Sequence, residues 1–163
     1  MDAVFDVPGA PWVAVSPALA TVRRAVLALS VAPVVLVLLA AMVVFPDMLV
    51  VWTPVLVTML VAVAVAFRSL ARNATSWAYA ERGEDLFVRH GVLVRRLEVV
   101  PYGRMQLVEV TSGPLQRRFG IASLTLHTAA PGTAAKILGV PADEASRLRD
   151  RLTALGEAQA AGL

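Results

Sequence analysis

The sequence contains no cysteine. That excludes disulfides, cysteine-ligated zinc, iron–sulfur clusters and thiol nucleophiles, and it leaves the redox compartment unmarked. Lysine is almost missing too: Lys136 stands alone among 15 basic residues, the others being arginine. Charge is scarce, at 17% of 163 positions against about 25% for ordinary soluble domains. The net charge of +3 is too small to mark a nucleic-acid partner, and none is expected.

The shortage of charge is local. Ala25 to Phe67 carries a single charged residue, Asp47. Pro46 and Asp47 divide this block into spans of about 25–45 and 48–67, each close to the roughly 20 residues that cross a hydrocarbon core. So short a break forces an antiparallel hairpin. Ser16 and Pro17 read as the cap and first position of the first helix, and Asp47 as a cap for the second. Pro33 and Pro54 fall within the spans, where membrane helices tolerate them. A cleaved leader is not expected: the first apolar run exceeds the usual signal core, no small-x-small site follows it, and a second span comes directly after. A transport pore is not expected either, since no charge lies within the spans.

Arginines set the expected orientation. Arg23 and Arg24 precede the first span, Arg68 and Arg72 follow the second, and the connecting turn has no basic residue. The positive-inside rule then puts both termini on the cytoplasmic side and the turn outside. The expected organisation is a cytoplasmic segment 1–16, a hairpin 17–72, a domain 73–156 and a frayed tail 157–163.

Beyond Arg72 the pattern alternates. Strands are expected through Trp77 and Tyr79, then over Leu86–His90, Val92–Val100, Gln106–Thr111, Ile121–Thr128 and Ala134–Leu138. Turns are expected at Glu81–Asp85, Gly91 and Pro131–Gly132, and an irregular link at Gly113–Gly120. From Pro141 the period becomes helical: Ala145, Leu148, Leu152 and Leu155 form one stripe, with Gly156 as the stop. The fold class is a membrane α-helical hairpin followed by a small α+β domain, an antiparallel barrel or sandwich with a C-terminal capping helix.

The residues Trp77, Tyr79, Gly91, Val92, Leu93, Val100, Pro101, Tyr102, Arg104 and Gln106, then Gly113, Leu115, Phe119, Gly120, Leu124, Leu126 and Thr128 ahead of the closing helix, resemble the bacterial pleckstrin-homology-like family. Its small anchored members place two spans before one such domain. The resemblance covers about Trp12 to Leu155. It implies a pleckstrin-homology barrel and implies no reaction. In phosphoinositide-binding relatives of the fold, basic residues cluster in the first hairpin. The turn read as matching holds Glu81, Arg82, Glu84 and Asp85, which argues against that ligand.

No catalytic constellation is present. His90 and His127 are isolated, so metal ligation is not expected, and no phosphate loop or nucleophile elbow occurs. Neither a cofactor nor a metal is expected. Glu81, Glu84 and Asp85 read as a solubilising turn. Among the basic residues, Arg104, Arg117 and Arg118, with Phe119, are the candidate contacts to anionic headgroups, each charge worth about 1 kcal/mol near the surface, or to a protein partner. The expected function is a non-enzymatic binding or scaffold protein integral to the bilayer. The alternative is an accessory subunit of a larger membrane enzyme or transporter, docked through the hairpin. Self-association stays open, with Ala62 and Ala66 at small-xxx-small spacing.

Overall fold

A computed structural model describes residues 9, 11–128 and 134–160. The chain forms two compact units: one holds Ala20–Arg72, the other the residues up to Leu19 together with those from Asn73 onward.

The first unit is the body of a helical hairpin. Helices α1 (Ala18–Val44) and α2 (Leu49–Thr75) have 27 residues each, about 40 Å at 1.5 Å per residue, and both are apolar enough to cross a membrane. Phe45 and a 3-10 turn, Pro46–Met48, join them. Asp47 lies inside that turn, one residue ahead of the position that would cap α2. Hydroxyls within the spans bond their own helix: Ser30 Oγ donates to the carbonyls of Val26 and Leu27, and Thr53 Oγ1 to Leu49, which spares lipid an unpaired polar group. At the opposite end from the turn, Arg24 Nε donates to the Phe67 carbonyl at 3.4 Å. The helices extend beyond the expected spans, because the flanking arginines continue them past the apolar block.

The second unit holds two antiparallel sheets. One has the order β1 (Val13–Ala14), β2 (Ala78–Glu81), β3 (Asp85–His90), β4 (Arg96–Pro101); the other is β5 (Met105–Thr111), β6 (Ile121–Thr128), β7 (Ala134–Pro141). The expected separation of the N-terminal segment from the domain needs correction. Strand β1 precedes the spans and pairs with β2, Val13 opposite Tyr79 and Ala14 opposite Ala78. The hairpin is thus spliced into the first β-hairpin of the domain, and the acidic turn belongs to the second. The Pro131–Gly132 turn lies outside the described residues.

Alternation places Tyr79, Leu86, Val88 and Val100 on the inner face of the first sheet, and Leu124, Leu126 and Ile137 on that of the second. All are buried. The closing helix α4 (Ala142–Ala160) adds Ala145, Leu148 and Leu152, each fully buried; a leucine buried this way stabilises by about 1.5–3 kcal/mol. The helix does not stop at Gly156 and includes residues 157–160 of the expected tail. Glycine costs about 1 kcal/mol inside a helix, too little to end one anchored by this stripe. Beside Gly156, the Tyr102 carbonyl would lie 3.7 Å from an added Cβ.

Polar bonds fix α4 at its other face. Arg147 Nη2 donates to Glu81 Oε1 at 2.5 Å and to Glu144 Oε1 at 2.6 Å, Arg151 Nε lies 3.1 Å from Glu81 Oε2, and Tyr79 Oη donates to Glu144 at 2.8 Å. Burial, then the bond to Glu144, pushes the Tyr79 phenol above its ordinary range. The Arg147 guanidinium holds Glu144 below the usual carboxylate range. Glu81 is therefore a structural anchor on β2 and not a solubilising turn residue.

A bulge at Gly139 joins β7 to the start of α1. The register passes from Ala122 opposite Val140 to Ser123 opposite Leu138, leaving Gly139 unpaired in the ladder. Its carbonyl accepts the Ser16 N–H at 2.9 Å. With φ +75°, and an added Cβ only 2.7 Å from the Leu19 Cβ, this position excludes a side chain on two counts. Gly139→Ala is expected to lower stability by about 1–3 kcal/mol. Gly83→Ala, where a Cβ meets nothing within 4 Å, should stay within about 0.5 kcal/mol. Denaturant melts of the detergent-solubilised protein compare the two.

Candidate functional site

The domain has two ends, set by its strands. At one end α2 hands over to β2, the β3–β4 loop turns, and α3 (Pro114–Arg118) precedes β6. At the other lie the β2–β3 turn and the 3-10 turn Tyr102–Arg104. Six-residue β3 separates them by about 20 Å.

The first end is built from the helix junction upward. Ser76 Oγ donates to the Asn73 carbonyl at 2.7 Å and accepts the Gly91 N–H at 3.0 Å. One hydroxyl thereby ties the β3–β4 loop to the residue after α2. The next residue, Trp77, stacks on His90 with ring centroids 4.2 Å apart and planes 9° from parallel. His90 Nε2 lies 3.2 Å from Glu98 Oε1 on β4, and the Arg89 guanidinium sits 4.2 Å over the Trp12 ring. Ser76, Trp77, Arg89 and His90, together with Ala14, Arg95 and Arg96, are among the residues lining a pocket of about 510 Å³. The pocket is cationic at its rim, and among the described residues no group of three His, Asp or Glu could hold a metal ion.

The structure places the predicted contact residues apart. Arg104 is exposed in the 3-10 turn at the far end, next to the acidic turn, where the Tyr102 N–H bonds the Glu84 carbonyl at 3.0 Å. Arg117 and Arg118 are exposed in the last turn of α3, where a short helix replaces the expected irregular link, and Phe119, its C-terminal cap, is 39% exposed. Gly120, at φ +63°, ends that helix as a left-handed residue, and its carbonyl accepts the Ala142 N–H at 3.0 Å. Strand β5, seven residues long or about 23 Å, lies between Arg104 and this group. Arg117, Arg118 and Phe119 share the junction end of the domain; Arg104 does not. Of the topology-setting arginines, Arg24 bonds across the hairpin as described, and Arg23, Arg68 and Arg72 lie at that same end of the helices.

The turn expected at Gly91 is a five-residue loop, Gly91–Arg95. The expected strand Val92–Val100 begins at Arg96, because His90 pairs with Arg96 and leaves Gly91–Arg95 outside the ladder. Gly91 has φ +102°, and a Cβ there would strike the Val94 carbonyl, so the chain turns sharply at that point. Leu93 is 99% exposed and Val94 69%. The signal was available: Val92, Leu93 and Val94 are consecutive apolar residues without alternation, directly after a glycine and before two arginines.

Two sheets of four and three strands closed by one helix, with the first strand pair interrupted by a two-span hairpin, match the expected barrel. The pattern described as "Bacterial PH domain" fits residues 18–155. The chain belongs to the bacterial PH domain family. It is also 32% identical over 79 residues to the UPF0699 transmembrane protein YdbS of Bacillus subtilis (strain 168), a stretch making up 48% of this chain and 48% of that protein. The match thus spans about half the length of that relative. No solved structure matches. As a bacterial PH domain protein the chain is a membrane protein, its PH-like domain tied to the end of α2 through Ser76.

That tie can be tested. Ser76→Ala removes the acceptor of the Gly91 amide. For a bond worth about 1 kcal/mol, hydrogen exchange at Gly91 should speed up roughly fivefold, while the amide of Leu124 in the buried centre of β6 stays protected. Unchanged exchange at Gly91 would show that the bond does not hold the loop.

Proposed function

We propose that this protein is a non-enzymatic scaffold of the bacterial inner membrane, presenting its PH-like domain on the cytoplasmic side to a protein partner or to anionic headgroups. The observation that carries this reading is the splice. Both strands flanking the hairpin pair with each other, so the domain is tethered to the bilayer by two chain segments. A double tether restricts tumbling and raises the effective concentration of the domain's surfaces at one plane, which suits display and holding. The barrel interior supports the same reading: Tyr79, Leu86, Leu124, Leu126, Ile137 and Leu148 fill it and are nearly inaccessible, which directs contacts to the outer surfaces.

Orientation rests on the four flanking arginines and on the absence of any basic residue from the outer turn, whose one charge is that of Asp47. The absence of native cysteine makes the test direct. In intact cells, Asp47→Cys should react with a membrane-impermeant maleimide, and Glu84→Cys should react only after lysis. The reverse labelling overturns the cytoplasmic placement.

The second reading, an accessory subunit docked through the hairpin, draws on side chains that the helix pair leaves uncovered, including Leu36, Val37, Val50 and Val61. Photocrosslinkers at those positions in native membranes decide between the two. Lipid adducts alone are expected for the free-standing scaffold; a stoichiometric multi-span protein adduct favours the subunit.

A further inference from the structure

From the β3–β4 loop we infer that the domain docks onto the bilayer its own hairpin spans: Leu93 and Val94 enter the boundary between headgroups and acyl chains, and Arg95 and Arg96 engage lipid phosphates. The first observation is composition against exposure. Hairpin loops are ordinarily polar and rich in glycine, asparagine, aspartate and serine, and the opposite turn of the same sheet is polar around a glycine, with Arg82, Gly83 and Glu84. At the junction end the loop instead presents two large apolar side chains, one of them 99% exposed. They are not a frayed strand. The loop is held by the Gly91 N–H bond to Ser76 and by the left-handed turn at Gly91.

The second observation is charge. Arg95 and Arg96 follow the apolar tip directly, and both are exposed. An apolar tip backed by arginines is the composition that binds the interface of an anionic bilayer. A protein partner fits less well. A specific protein interface covers about 800 Å² on each side, far more than two side chains at a loop tip offer.

The inference rests on the proposed position of the domain at an anionic surface, and its test is independent of sidedness. The full-length Leu93→Cys protein, labelled with an environment-sensitive nitrobenzoxadiazole probe, is placed in nanodiscs, where both faces carry the same lipid. In a phosphatidylglycerol–phosphatidylcholine mixture the emission should shift to the blue and be quenched by lipids bearing a nitroxide near the headgroup. A probe at Glu84→Cys should be neither shifted nor quenched. Arg95→Gln combined with Arg96→Gln, or phosphatidylcholine alone, should reduce the quenching severalfold. A Leu93 probe that stays fully solvated in the anionic nanodisc overturns the proposal, as does quenching that ignores both lipid charge and the arginines. A probe solvated in nanodiscs and buried in native membranes also overturns it, in favour of a protein contact. Failure of the cytoplasmic placement would appear separately, in the thiol labelling of intact cells.

Discussion

The pairing of β1 with β2 is the constraint on which the rest of the structure depends. Two antiparallel strands joined through a membrane hairpin can meet only if the hairpin begins and ends at the same level. Helices of 27 residues each satisfy that condition, and a 3-10 turn at Pro46 reverses the chain without adding length to either arm. Charge follows from the same geometry. Because both helix ends return together, all four flanking arginines gather at one end of the hairpin, which is what gives the positive-inside signal its consistency.

The pairing also divides the domain into ends with different chemistry. From mid-sheet toward the far end, Tyr79, Glu81, Glu144, Arg147 and Arg151 form a polar lock whose bonds are spent on holding α4 to the sheet. At the junction end the polar groups are arranged around a pocket, beside an apolar loop and the exposed arginines of α3. Arg104, grouped with Arg117 and Arg118 by residue type, belongs to the first chemistry by position. Residue type grouped it with those two; the length of β5 separates it from them.

Much of this was legible from sequence because it rests on local pattern. The spans follow from a run without charge, strand β6 from its alternation, and α4 from the spacing of Leu148 and Leu152. What stayed hidden depends on long-range pairing. A two-residue strand such as β1 has no periodicity to read, and its partner lies on the other side of the hairpin. The role of Glu81 needs Arg147 and Arg151, one helical turn apart but more than sixty positions from their carboxylate. The β3–β4 loop was misread for a different reason. Apolar content stands for burial in most of a soluble domain, and here it stands for exposure at a turn.

The splice also bears on how the molecule is made. In a soluble PH-like barrel the first two strands are neighbours in the chain and can pair early. Here a loop of roughly 60 residues would cost about 4 kcal/mol to close if it were unstructured. Once both helices are in the bilayer the ends are already together, and the cost falls to that of a short turn. Insertion of α1 and α2 therefore favours the pairing of β1 with β2 by sparing most of that closure cost.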